Sequence, residues 1–397
     1  MPPAASPETI LPAALPLVEP ADAVELARVL ADAHSAGQAV LPRGGGTKME
    51  WGNPPRAAHI ILSTRKLDRV LEHAAGDMTA TVQAGCTVTS LQNELALRGQ
   101  RLAIDPLWPD RATIGGVLAT NDSGPLRGAF GSLRDLIIGI TVALADGTLA
   151  RSGGKVVKNV AGYDLPKLMV GALGTLGVLT EATFRLHPLP QTARTFEFSA
   201  PTPGDATGCV LAVHDSTLSV AALQVVAAGA APVTVAVRVE GSAAAVDDAA
   251  ERLSGVGTPC GAELKLPTGD VWAEREGLWN GPDVVCKVAF LPARLADLCA
   301  AIGCCMPDWK LVAQGVGVGL LGIRAVTEDD VPRIVRAVRQ ELAALGGSLV
   351  VLRCPPWVKR RVDLWGDAGD ALPLMRRVKQ QFDPTGVLNP GRFVGGI

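Results

Sequence analysis

The chain has 397 residues, a formal net charge of −2 and a pI of about 6.2; 48% of it is hydrophobic and 19% charged. That balance gives no electrostatic case for nucleic acid or an anionic membrane surface, and it excludes a disordered chain. The length predicts two domains, while apolar runs such as Leu136–Leu144 fall short of the roughly twenty residues a membrane crossing takes, so no transmembrane segment is expected.

Residues 1–20, rich in Pro and Ala, read as a lead without the basic start and apolar stretch of a signal peptide. A helix is predicted over Ala23–Ala36, with Asp22 as N-cap and Gly37 as its stop. Short strands follow at Ala39–Pro42, His59–Leu62 and Thr79–Ala84, then a helix over Val88–Arg98 ended by Gly99. Leu136–Ala145 alternates like a strand, and Asp146-Gly147 is a hairpin turn. Strand Val178–Leu186 closes this half, and His187-Pro-Leu-Pro190 reads as a domain boundary.

The second half changes character. Strands Ala221–Val226 and Thr234–Val239 precede a helix over Ala243–Leu253, and strand Val284–Phe290 precedes helix Ala293–Ile302. Strands around Leu311–Ala313 and Val316–Ile323 precede helix Asp329–Leu345 and strand Ser348–Leu352. This pattern predicts an α+β domain with an antiparallel sheet and helices on one side. A last helix, Leu372–Phe382, leads into Asp383-Pro-Thr-Gly-Val-Leu-Asn-Pro-Gly-Arg392. The eight cysteines include no Cys-x-x-Cys, so neither an iron–sulfur cluster nor a zinc ribbon is expected, nor any other metal site. They read as small buried hydrophobes in a reducing, cytoplasmic setting.

Arg151–Phe184 carries the densest signal, with Gly153, Gly154, Gly162, Gly171, Gly174 and Gly177 around a few polar anchors. Glycine at such density removes side chains where backbone must approach something flat or anionic. Arg43-Gly44-Gly45-Gly46-Thr47-Lys48 offers a run of N–H groups, a hydroxyl and two cations, suited to a pyrophosphate. It is neither a Walker loop nor a Rossmann fingerprint, and alone it reads more readily as an ordinary turn. Pro109–Gly124 adds Thr113-Ile114-Gly115-Gly116 at a predicted helix start, where N–H groups could meet phosphate or flavin oxygens, followed by Asn121, Ser123 and Gly124. Gly317-Val-Gly-Leu-Leu-Gly322 matches Gly-x-Gly-x-x-Gly, but the strand continues past it before any helix begins, so the match is dismissed.

The ordered series PRGGGTK, P-x₃-TIGG-x₂-A-x-N-x₂-G, KNVAGYDLPKL-x₂-G-x₂-GTLGV-x-TEATFRLHP and FDPTGVLNPGR resembles FAD-binding oxidases of the vanillyl-alcohol-oxidase family, with a PCMH-type FAD-binding domain. Within that family it is similar to the branch of the FAD-binding E subunit of bacterial glycolate oxidase. The resemblance covers about residues 40–190 and the last fifteen or so. It implies an α+β fold: a two-part FAD-binding domain over 21–190, an α+β cap over 191–365, and a segment over 366–397 returning to the FAD domain. It also implies that Arg43–Lys48 wraps the pyrophosphate, and that Pro109, Thr113–Gly116, Asn121, Ser123 and Gly124 line the FAD. Gly174, Thr175, Leu176, Gly177 and Val178 would lie beside the adenine and ribose, and Asn389 near the flavin. Relatives with covalent flavin often carry a His in the first loop; here none is present, so non-covalent FAD is expected.

The 2-hydroxyacid dehydrogenase branch carries a motif like His-x-Gly-Asp-Gly-Asn-x-His where this chain reads Ala313-Gln-Gly-Val-Gly-Val-Gly-Leu-Leu-Gly322, and Gly-Ser-Glu-Gly where it reads Gly171-Ala-Leu-Gly174. Hydride transfer from a 2-hydroxy acid needs a base for the hydroxyl proton and a cation for the carboxylate. Beyond residue 190 the sole histidine is His214, which reads as a surface or satisfied core residue rather than a base; Arg324 and Arg353 could bind a carboxylate but read first as solvated or salt-bridged, and no catalytic residue is assigned. The resemblance therefore implies an FAD-binding subunit of a glycolate oxidase-like complex that converts glycolate to glyoxylate. Its partners would be a sister FAD subunit and an iron–sulfur subunit, and any attachment to the inner face of the membrane would run through them. The alternatives are a self-sufficient dehydrogenase, with Tyr163 and Asp164 the first pair to test, and a flavin-stabilised scaffold.

Overall fold

The computed structural model describes residues 15–155, 164–265, 267, 269–324, 327 and 329–397. The helix Ala23–Ser35 begins where the sequence places it: the Asp22 carboxylate accepts the Glu25 N–H at 2.8 Å, and Gly37 ends it at φ +64°. Leu26 and Leu30, four residues apart on one face, are fully buried and contribute about 2 kcal/mol each. The chain divides into two compact units. One takes the chain up to Ser123, Gly131–Leu189 and Asp367–Ile397; the other takes Gly124–Phe130 and Pro190–Gly366.

In the first unit, Val40–Arg43 pairs in parallel with Ile60–Ser63, which pairs in parallel with Leu17–Val18. A five-stranded antiparallel sheet runs in the order Val70–Ala74, Thr79–Gln83, Val178–Arg185, Ile137–Ala143, Leu149–Gly153. The hairpin at Asp146-Gly147 is present, Gly147 taking φ +86°. The two edge strands were not expected from sequence. Val70-Leu-Glu-His-Ala has no buried residue, so its alternation is weak.

The second unit is an eight-stranded antiparallel sheet, ordered Glu263–Lys265, Thr192–Ala200, Val233–Gly241, Val220–Ala228, Trp309–Gln314, Val318–Ile323, Val284–Ala289, Ser348–Arg353. Phe196, Phe198, Val225 and Val235 from its strands share one core with Cys209, Leu253, Ile302 and Val338 from the helices Pro203–Asp215, Ala243–Val256, Leu295–Cys305 and Asp330–Ala344. The fold is thus α+β. Pro203–Asp215 was missed because it opens on Pro-Gly; its start is a capping box between Thr202 and Asp205. The strand-bound glycines from 317 to 322 serve packing: Gly317 turns the hairpin at φ +80°, and a Cβ on Gly319 would lie 2.9 Å from Ala313 Cα.

All eight thiols are free. Burial pushes Cys86 up to about 11 and Cys209 and Cys299 up to about 12. Cys304 alone is exposed, so one fast-reacting thiol per chain is expected in Ellman titration at pH 8, and Cys304→Ser should remove it. Among the described residues no helix is long and apolar enough to cross a membrane.

Candidate cofactor site

In the first unit the glycine-rich segments lie directly on one another. A Cβ on Gly44 would sit 2.1 Å from Thr113 Oγ1, and one on Gly45 1.8 Å from the Arg111 carbonyl oxygen. The first loop is glycine there because only bare backbone fits against the second segment. The helix Ile114–Thr120 ends at Asn121, φ +49°, and its carbonyls at Leu118 and Ala119 accept the N–H groups of Gly171 (2.9 Å) and Leu173 (2.8 Å). The C-terminal segment closes the set: Asn389 donates its backbone N–H to Val40 at 3.0 Å and its amide Nδ2 to Leu173 O at 2.5 Å.

A cleft opens between these segments. Arg43 and Gly44 line it from the first, Gly115 and Gly116 from the second, Gly174, Gly177 and Val178 from the third. Gly45, Gly46 and Thr47 do not line it. Among the described residues, the N–H groups of Gly44, Gly45, Gly46 and Thr47 find no acceptor within the chain. Four successive open donors beside an arginine suit an anion. Two side-chain oxygens, Asn121 Oδ1 and Asn389 Oδ1, are buried without a hydrogen-bond partner among the described residues. Neither residue lines the cleft; Asn389 holds the turn at Leu173, which does.

Several expected ligands fall elsewhere. The start of helix Ile114–Thr120 is closed: Ile114 N–H bonds Cys86 O at 2.9 Å, Gly115 N–H bonds Ala84 O at 2.8 Å, and Gly116 N–H bonds Thr113 Oγ1 at 3.3 Å. Thr113 is therefore an N-cap and Ile114 a core residue; Gly115 and Gly116 contribute bare walls, not donors. Lys48 is not a rim cation. Its ammonium lies 3.2 Å from Asp122 Oδ2, with 4% and 2% of the side chains exposed, near the rings of Trp51 and Trp108. A lysine desolvated between two indoles requires a counter-charge, which Asp122 supplies while also accepting the Leu107 N–H at 2.8 Å.

Pro109 presents its carbonyl to Thr89 N–H, and Ser123 is buried. Thr175 bonds Ala172 O through its hydroxyl, and Leu176 belongs to the core. Gly124 groups with the second unit, outside this cleft. Tyr163, within residues 156–163, lies outside the described residues. Asp164 caps the helix Leu165–Met169 through Lys167 N–H. In the second unit, Arg353 donates to the carbonyls of Trp279 and Pro282, and His214 Nε2 is 2.9 Å from Gly315 O.

Met169 and Leu173, which line the cleft, were not expected; Leu173 stands in the left-handed region at φ +51°. Lys379 and Asp383 were also missed, although Asp-Pro directly after a helix is a stop signal that marks a hydrogen-bonding carboxylate. Arg392 is buried, which pushes it down to about 10, and it donates to the carbonyls of Met49 and Trp51.

The FAD binding domain family matches residues 14–153, and the C-terminal domain of FAD linked oxidases matches residues 365–393. The glycolate oxidase subunit GlcD of Bacillus subtilis is 38% identical over 45% of this chain and 38% of its own length. D-lactate dehydrogenase of Archaeoglobus fulgidus is 35% identical over 52% of this chain and 46% of its own. The chain thus spans less than half the length of these two relatives. D-2-hydroxyglutarate dehydrogenase of Xanthomonas citri pv. viticola is 27% identical over 96% of this chain and 89% of its own. Among solved structures, p-cresol methylhydroxylase superposes with a TM-score of 0.76 at 16% identity over 95% of this chain and 88% of its own. Alkyldihydroxyacetonephosphate synthase gives 0.73 at 19% identity over 95% and 77%; both show the fold alone.

The chain carries an FAD binding domain over residues 14–153. It joins the FAD binding domain to a C-terminal stretch of the FAD linked oxidases, and FAD is its cofactor.

Proposed function

We propose that this chain is the FAD-carrying subunit of a complex that oxidises a small 2-hydroxy acid, glycolate foremost, and passes the electrons to partner subunits. The observation that carries the reading is the contrast between the two units. The first holds a cleft lined by Arg43 and Gly44, and next to it the run Gly44–Thr47 offers open N–H groups suited to a pyrophosphate. Gly115, Gly116, Gly174 and Gly177 leave room for flat rings. Bound there, FAD supplies a two-electron acceptor. In the second unit, residues 313–322 present no ionisable side chain, and among the described residues no cluster of three His, Cys, Asp or Glu could hold a metal.

A sister flavoprotein would then oxidise the substrate, and an iron–sulfur subunit would carry electrons onward. With no histidine in the glycine loop, FAD is held without a covalent bond. Purified protein incubated with FAD is expected to show a flavin spectrum that passes into the supernatant on acid precipitation, and to stay yellow when glycolate or D-lactate is added. Absence of flavin uptake would refute the reading.

The near-full-length match to a D-2-hydroxyglutarate dehydrogenase favours a second reading, a self-sufficient dehydrogenase. Bleaching of the isolated chain's flavin by D-2-hydroxyglutarate would establish it in place of the first.

A further inference from the structure

Lys379 does not line the cleft, yet it ties together two segments beside it. Its ammonium donates to Thr175 O at 2.7 Å, to Leu388 O at 3.0 Å and to Asp383 Oδ2 at 2.5 Å, which uses all three of its protons. Asp383, with no exposed side-chain surface, accepts the N–H groups of Val387 at 3.0 Å and Leu388 at 2.8 Å. One ion pair therefore fixes the Gly174–Thr175 turn and the Val387–Leu388 backbone at once. The next residue is Asn389, held at φ +45° with its amide nitrogen on Leu173 O and its oxygen open.

A buried ion pair is weak evidence for stability, because well-packed apolar residues often serve as well. Its distinctive property is direction: an ammonium requires acceptors at three defined places, and a carboxylate requires donors. Burial disfavours the charged form of Lys379, and the Asp383 carboxylate opposes that shift. Such a pair sets register between segments that propensity alone leaves loose, since Asp383–Arg392 belongs to no regular helix or strand apart from a bridge between Val40 and Leu388.

We propose that Lys379 is a positioning residue for the cofactor: with Asp383 it registers the C-terminal segment against the Leu173–Thr175 turn, so that Asn389 holds Leu173 and Gly174 in place as a wall of the FAD cleft. The proposal rests on the FAD site described above. It makes Lys379 act through Asn389, and this is testable as a double-mutant cycle.

The experiment measures FAD affinity of apoprotein by quenching of flavin fluorescence, for the wild type, Lys379→Met, Asn389→Ala and the double variant, with visible circular dichroism of the bound flavin. Lys379→Met and Asn389→Ala are each expected to weaken FAD at least tenfold and to change the dichroism alike. The double variant is expected to bind no more weakly than the worse single one. If Lys379→Met does not fold, Asp383→Asn, which keeps the shape, takes its place in the same cycle with the same expectation. Wild-type affinity in the Lys379 or Asp383 variant, or losses that multiply in the double variant, would overturn the proposal while leaving the FAD site standing. A wild type that takes up no FAD would overturn both.

Discussion

Replacing Gly45 by alanine is expected to abolish FAD uptake and to destabilise the first unit by about 3 kcal/mol, within the range of severe backbone effects. The cause is geometric. The added methyl would lie 1.8 Å from the Arg111 carbonyl oxygen and 2.9 Å from its carbon. Main chain cannot rotate aside as a flexible side chain can, so the two loops must separate. Separation opens the cleft that Gly44 and Gly115 line from opposite segments. Gly116→Ala provides the control: its Cβ would meet only Thr113 Oγ1, at 3.2 Å. That variant should melt within a few degrees of the wild type while binding FAD more weakly, because it fills the wall without parting the loops. Calorimetry of the apoproteins and FAD titration check both. A Gly45→Ala protein with normal melting and normal affinity would refute the account.

The second large effect is expected at Asp122. Asp122→Asn should destabilise the apoprotein by about 3 kcal/mol, because it leaves the buried Lys48 ammonium without its carboxylate. Lys48→Met combined with Asp122→Asn should recover more than half of that loss, since neither charge is then buried. Chemical denaturation of the three variants measures it; a double variant less stable than Asp122→Asn would show that Lys48 is held by something other than this pair. The result also decides how the glycine loop works. If Lys48 faced the pyrophosphate, its removal would cost FAD affinity first and stability little.

Much of this was legible in the sequence where a local rule is strong. The helix Leu372–Phe382 has the predicted bounds, and Ala23–Ser35 starts at its predicted cap, because periodicity and capping are local properties. The glycine segments singled out in the sequence do meet in the fold, but their reasons were only half visible. A glycine that avoids a phosphate and one that avoids a neighbouring loop look the same in one dimension. Thr113-Ile-Gly-Gly reads as an open helix start, yet its donors are taken by Ala84 and Cys86, whose proximity only the folded chain creates. Lys48 followed the same pattern: beside a glycine run it reads as a phosphate cation, and its actual partner lies in the second motif. The edge strands and Pro203–Asp215 were missed because exposed strands and Pro-Gly starts carry little periodic signal.

The first unit is assembled from stretches at both ends of the chain, with Val40 hydrogen-bonded to Val387 and Asn389. During synthesis, then, the strand at Val40 waits for a partner that emerges from the ribosome long after it, while the whole of Pro190–Gly366 is made in between. Domains generally fold as units as they emerge, so the interposed α+β unit can fold before the earlier unit is complete. FAD uptake is accordingly expected only after Val387–Asn389 has emerged. Nascent chains arrested before Asp383 should leave the glycine loops exposed to proteases, and chaperone dependence would fall on the amino-terminal half.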